Sequence, residues 1–285
     1  MDHIELRARD LTFTARTSGP ADGRPVLFLH GFPQTAASWD DQLEAVGAAG
    51  HRGLAFDQRG YSPGARPAEV GAYVMAELLA DALAVADLQG WDRFDLVGHD
   101  WGAMVAWVLA GRHPDRVRTL TAVSVPHPVA FGSALLGGDP DQASRSSYIE
   151  VFRQEGVAEA ALLGEDGSGD GLRAMFAASG LPADFPIVEV FVAAMREPGA
   201  LTAALNWYRA MTPESLADLG PIAMPTLYVW STEDIALGRK AAEATAGLVE
   251  GPYRFEILEG VSHWIPETAP EALNALLLDH LAAHP

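Results

Sequence analysis

The stretch that most restricts how this chain can fold is Leu96-Val97-Gly98-His99-Asp100-Trp101-Gly102-Ala103-Met104. A short apolar run, Phe94 to Val97, enters two tight residues, presents an acid, and passes directly into an apolar helical stretch from Ala103 to Leu109. This is a strand–turn–helix elbow written Gly-x-Asp-x-Gly, where the better-known version carries serine at its tip. Gly98 and Gly102 meet a mechanical need: they flank a strained residue, and bulk there would collide as strand and helix close on each other. The simpler alternative makes Asp100 a helix N-cap, a role aspartate fills well. The rest of the chain decides between the two.

At 285 residues and 49% hydrophobic composition the chain can bury one large core and carry an inserted subdomain. No run reaches the roughly 18 uncharged apolar residues of a membrane span. The first residues, Met1-Asp2-His3-Ile4-Glu5, lack the basic and apolar regions of a signal peptide. The absence of cysteine removes disulfide and thiolate chemistry. A net charge of −19 argues against nucleic acid, whose phosphates it would repel. The expectation is a soluble, acidic, cytoplasmic protein with neither nucleic acid nor membrane as partner, monomeric or homodimeric.

Residues Ile4–Arg9 and Leu11–Thr17 alternate apolar and polar side chains, as half-exposed strands do. Pro25–Leu29 is continuously apolar and suits a strand covered on both faces, ending in His30-Gly31-Phe32-Pro33-Gln34. Thr35 or Ser38 caps an expected helix to about Ala48. A second buried strand, Gly53–Phe56, runs into Asp57-Gln58-Arg59-Gly60-Tyr61-Ser62, and Val70–Leu88 carries helical spacing at Val74, Leu78, Leu79, Leu83 and Val85. After the elbow and its helix, Val117–Val125 is another apolar strand. Strands alternating with helices predict a mainly parallel sheet flanked by helices, an α/β architecture.

That rhythm breaks after Val125-Pro126-His127-Pro128. Only helical patterns follow, at Ser147–Phe152, Leu172–Ala178, Ile187–Arg196 and Leu201–Met211, until strands resume at Met224–Trp230 and Tyr253–Leu258. The expected organisation is a core of residues 1–126 and 216–285, with 127–215 inserted as a helical cap over the sheet's carboxyl edge, where open α/β sheets bind ligands. Gly164–Gly171 resembles the start of a calcium loop, but Ala177 stands where a bidentate glutamate is needed. The nine histidines include no His-Glu-x-x-His pattern. No metal or cofactor is expected.

Two residues stand where the α/β-hydrolase fold puts the partners of its nucleophile. Asp234 follows the strand Leu227–Trp230, with Glu233 beside it as a rival, and His263 follows Phe255–Leu258. Nucleophile, acid, histidine is the chain order of that fold. The loop His30-Gly31-Phe32-Pro33 lies where one oxyanion-hole N–H arises, so the amides of Phe32 and Trp101 become the two donors. His30 and His99 read as structural histidines.

An aspartate in the nucleophile's place restricts the chemistry. Serine attacking a saturated carbon would leave an ether, which activated water cannot readily cleave. A carboxylate leaves an ester whose carbonyl belongs to the enzyme, and water activated by His263 can attack it, with Asp234 orienting the imidazole. Asp100 therefore predicts alkyl transfer, with a strained alkoxide or a halide as the leaving group.

These motifs together resemble the α/β-hydrolase-fold epoxide hydrolases of the soluble, bacterial type, over almost the whole length. The carriers are His30-Gly31-Phe32-Pro33, Asp57–Ser62, Gly98–Gly102, Val125–Pro128, Asp234 and Gly260-Val261-Ser262-His263-Trp264. Asn206-Trp207-Tyr208-Arg209 resembles the family's second cap-tyrosine motif, and Tyr148 with Phe152 the first, although Glu150 and Val151 replace the usual neighbours. The resemblance implies a cofactor-free epoxide hydrolase in which Tyr148 and Tyr208 point at the epoxide oxygen. Haloalkane and haloacid dehalogenases share the core motifs and remain an alternative. A side-chain halide donor there is a polar residue where this chain has Phe32, and fluoroacetate dehalogenases carry a basic residue where it has Trp101. A ligand receptor on the same fold is a third reading. Trp39, Trp101, Trp207 and Trp264 hint at a small apolar or aromatic epoxide as substrate.

Overall fold

Eight strands form one sheet in the order β1-β2-β4-β3-β5-β6-β7-β8, in a computed structural model that describes residues 1–212 and 219–285. The expected boundary at 215/216 lies outside the described residues. The strands are β1 (Asp2–Ala8), β2 (Leu11–Ser18), β3 (Arg24–Leu29), β4 (His51–Phe56), β5 (Phe94–His99), β6 (Val117–Val123), β7 (Thr226–Glu233) and β8 (Tyr253–Ser262). β2 runs antiparallel to β1 and β4, and every pairing from β4 through β8 is parallel. All six residues of β5 are buried, as befits a central strand covered on both faces.

Side-chain alternation divides the core in two. Leu27, Leu29 and Leu96 join one apolar cluster, while Val26, Phe28 and Val97 join another on the opposite face. Against these faces lie α1 (Asp40–Ala48), α2 (Met75–Leu88) and α3 (Trp101–Arg112). The periodic stretch from Val70 is not one helix. Val70–Tyr73 is a 3₁₀ turn, and Val74 is extended (φ −65°, ψ 152°), so α2 starts at Met75.

Between β6 and β7 the described residues form seven helices: α4 (Pro128–Leu136), α5 (Pro140–Arg145), α6 (Tyr148–Phe152), α7 (Val157–Leu163), α8 (Asp170–Ala178), α9 (Pro186–Met195) and α10 (Ala200–Ala210). Helices α4, α5 and α7 carry no clear helical pattern in sequence, being short and bounded by proline or glycine. α10 is the insertion's central helix, buried at nearly every position. After β7 come α11 (Arg239–Ala244), then α12 (Ile265–Thr268) and α13 (Pro270–Ala283) beyond β8. No helix among the described residues is long and apolar enough to cross a membrane.

Candidate active site

Loops at the carboxyl ends of β3, β5, β7 and β8 bring Phe32, Asp100, Asp234 and His263 together. β5 passes to α3 through Asp100 alone, at φ +51° and ψ −123°, a backbone conformation that costs energy for any residue with a Cβ. The flanking glycines permit it: a Cβ on Gly98 would run into the Gly102 carbonyl, and one on Gly102 into the Leu29 carbonyl. The N-cap reading of Asp100 does not describe its side chain, which makes no capping hydrogen bond to α3. Instead its Oδ1 accepts the Phe32 amide at 2.7 Å, and its Oδ2 stands 3.6 Å from His263 Nε2.

Behind His263, Nδ1 lies 2.8 Å from Asp234 Oδ2. Oδ1 of Asp234 accepts the amides of Ala236 (2.8 Å) and Leu237 (3.0 Å), so the carboxylate is fully engaged and only 1% exposed. Glu233, its sequence rival, is exposed. The electrostatics follow from these contacts. Burial pushes the His263 imidazole down, but the charges and hydrogen bonds of Asp234 and Asp100 outweigh it and raise its pKa to about 10. Burial pushes the Asp100 carboxyl up, and the hydrogen bond and charge of His263 reverse this, leaving it below the ordinary carboxylate value. The resting pair is thus a carboxylate facing an imidazolium.

Above Asp100 lies a cavity of about 540 Å³ whose lining is mostly apolar, including Met104, Val125, Phe131 and Leu237. Tyr148, from the first residue of α6, and Tyr208, from α10, both line it with Asp100 and Trp101. The Tyr208 ring packs edge-on against Trp101 (4.9 Å), Phe152 (5.1 Å) and Phe32 (5.4 Å), and lies 6.3 Å from Tyr148. Burial raises both phenols, so each is a protonated hydrogen-bond donor at neutral pH.

Of the four tryptophans expected around a substrate, only Trp101 lines the cavity. Trp39 packs on Phe28 at 5.3 Å in the cluster on the far face of the sheet. Trp207 turns its indole N–H to the Arg59 carbonyl (2.8 Å), which anchors the ring behind Trp101. Trp264 donates to Ser179 Oγ (2.9 Å) and packs against Phe176 and His263. These three are core residues, drawn inward by their large apolar area, and the N–H groups of Trp207 and Trp264 are satisfied there.

Sequence reasoning missed the polar chain beneath the site. Gln34 Oε1 accepts the Gly31 amide (3.0 Å), and its Nε2 donates to Glu267 Oε1 (2.6 Å) and Ser38 Oγ (2.9 Å). The ring nitrogens of His99 lie 2.9 Å from Gln34 Oε1 and from the His263 carbonyl, which also accepts Ser124 Oγ at 3.0 Å. The loop carrying the Phe32 amide is thereby tied to the loop carrying His263. A glutamine just after His30-Gly31-Phe32-Pro33 was the only signal. Among the described residues no cluster of His, Cys, Asp and Glu side chains is arranged to hold a metal ion.

Residues 24–270 match the family model for the alpha/beta hydrolase fold. The AB hydrolase superfamily protein YfhM of Bacillus subtilis is 34% identical over 279 residues, which cover 97% of this chain and 96% of that protein. Epoxide hydrolase A of Mycobacterium tuberculosis is 34% identical over 299 residues, 91% of each. The crystal structure of epoxide hydrolase A from Mycobacterium thermoresistibile superposes with a TM-score of 0.84 at 28% identity, covering 99% of this chain and 98% of that one. The chain belongs to the α/β-hydrolase fold and, within it, to the epoxide hydrolase family.

Proposed function

We propose that this protein hydrolyses an apolar epoxide to a vicinal diol through an alkyl ester on Asp100, with residues 127–215 as the cap that supplies the acid. One observation carries the reading: a strained aspartate at the floor of an apolar cavity, facing two phenols across it and a histidine beside it. A departing halide takes up no proton, whereas the oxygen of an opening epoxide must be protonated, and two protonated phenols can supply that proton.

The roles follow from the contacts. Phe32 holds Asp100 Oδ1, which leaves Oδ2, on the His263 side, as the oxygen that attacks an epoxide carbon. As that C–O bond forms and the ring C–O bond breaks, Tyr208 and Tyr148 hydrogen-bond to the developing alkoxide, which takes a proton from one of them. Ester formation also removes the negative charge of Asp100, one of the influences holding the proton on His263. The imidazolium then gives up its proton, restoring the phenol, and becomes a base at the step that needs one. Neutral His263 takes a proton from water as the water attacks the Asp100 carbonyl carbon. The oxyanion forms on Oδ1, facing the Phe32 amide and that of Trp101. Its collapse expels the diol and regenerates carboxylate and imidazolium, so epoxide plus water equals diol with no proton left over.

Because the ester is cleaved at the enzyme's own carbonyl, solvent oxygen enters Asp100 before it enters product. A single turnover in heavy-oxygen water, with enzyme in excess, should give unlabelled diol and a labelled Asp100 peptide by mass spectrometry. Label in the first-turnover diol, with a light Asp100 peptide, would make Asp100 a general base and overturn the ester mechanism.

A further inference from the structure

Asp234 sits on a loop, residues 234–238, that joins β7 to α11. The loop folds back on its own carboxylate through the Ala236 and Leu237 amides, leaving Oδ2 for His263. Its remaining backbone groups find partners mainly outside the sheet, on α5 of the insertion. Gln142 is fully buried. Its Nε2 donates to the Ala236 carbonyl and to Ser146 Oγ, and its Oε1 accepts the Gly238 amide, each at 2.9 Å. Arg145 donates to the Asp234 carbonyl, and its guanidinium is braced by Asp141 at 2.9 Å. The core contributes the Trp230 indole N–H, which donates to the Leu237 carbonyl at 3.1 Å.

We infer that Gln142 and Arg145 are positioning residues for the acid of the triad, so that one helix of the insertion sets the base on the opposite side of the site. A glutamine satisfied at both ends of its amide brackets Leu237 between two backbone contacts and fixes where the chain turns. Without it, the buried Gly238 amide is left without a partner and the partly buried Ala236 carbonyl loses its contact, so the loop must shift to find others. A small shift suffices, because the Asp234–His263 contact is a single 2.8 Å hydrogen bond. Asp100 and its Phe32 contact lie on other loops and are left as they are.

This inference rests on the two-step reading above, and the two steps separate it from a general loss of structure. In Gln142→Leu, single-turnover alkylation should stay near the wild-type rate, while ester hydrolysis slows roughly ten- to a hundredfold, the cost of a slight misplacement of a catalytic group. Intact-mass spectra should then show alkyl-enzyme accumulating during turnover. The pH at which hydrolysis reaches half its maximum should move down, since His263 loses part of the support of Asp234. Arg145→Met, which leaves Gln142 in place, should show the same pattern more weakly and serves if Gln142→Leu does not fold. Equal slowing of both steps, or unchanged hydrolysis in both variants, overturns the inference. His263→Gln is the control: if it traps the adduct and the α5 variants do not, the positioning role alone fails. If no variant traps an adduct, the ester mechanism fails and this role with it.

Discussion

On the sheet side of the cavity, side chains are held by directional contacts to backbone: Asp100 by the Phe32 amide, Asp234 by the amides of Ala236 and Leu237. On the insertion side, Tyr208 is held by the faces and edges of Phe32, Trp101 and Phe152. The floor concentrates charge, with a carboxylate held down and an imidazole held up by each other. On the roof, burial keeps the phenols protonated. In the proposed mechanism the difference separates two jobs: a covalent step needs one atom in one place, whereas charge developing on a leaving oxygen can be shared between two donors. Changes to the floor should therefore act nearly all-or-none, and changes to the roof by degrees.

The largest effect tests the floor. Asp100→Ala should lower diol formation by about 10⁴-fold or more, as loss of a nucleophile does elsewhere, and should form no adduct. The same substitution removes the carboxylate that helps raise His263, so the imidazole's pKa should fall from about 10, measurable by NMR titration of the ring protons. Activity within an order of magnitude of wild type would remove Asp100 from the mechanism, and the contrast between floor and roof would collapse.

The roof comes next. Tyr208→Phe keeps the ring packing and removes only the donor, and should slow alkylation by roughly a hundredfold, the lower end for loss of a general acid. Tyr148→Phe should cost less, because Tyr148 is half-buried while Tyr208 is packed into the aromatic cluster. The double variant should lose far more than either single one, since each phenol covers for the other. Rapid-quench measurement of adduct formation separates this from hydrolysis, which should not change. If either single variant matches Asp100→Ala, the roof is not a shared donor but a single essential acid.

The same contrast governs what could be read from the sequence. Gly98, Asp100 and Gly102 are legible because close backbone approach permits few side chains, and that restriction is written locally. The order Asp100, Asp234, His263 is legible because each follows a strand with a clear apolar run. Tyr148 and Tyr208 came from resemblance, since a tyrosine on an amphipathic helix carries no local sign of which way it faces. Trp39, Trp207 and Trp264 show the hazard: tryptophan in an apolar chain is drawn to the core whether or not a cavity is near. Gln142 and Glu267 are illegible for a different reason. A buried polar residue acquires its role only from partners far along the chain, such as Gln34 and Glu267, and nothing nearby encodes that pairing.

The smallest effect on turnover is expected at Glu267, at the end of the polar chain under the floor, where the signal appears in stability instead. Burial pushes the Glu267 carboxyl up from 4.5 to about 7, against the opposing pull of its hydrogen bonds to Ser38 and Gln34. A carboxyl raised on folding binds its proton more tightly in the native state. Its contribution is therefore complete below the unfolded value near 4.5 and is lost as pH rises through about 7. A shift of this size corresponds to a few kcal/mol, about 3 at full titration. Glu267→Gln keeps an acceptor for the Gln34 amide without the proton equilibrium. Relative to wild type it should gain stability between pH 5 and pH 8, by up to about that amount. Taking the difference between the two proteins cancels the other titrating groups, including Asp100 and His263. Urea denaturation at the two pH values measures it directly. A wild-type-minus-variant difference that is flat across this range would mean that Glu267 ionises at its ordinary value. The floor would then tolerate a buried charge that its hydrogen bonds alone support.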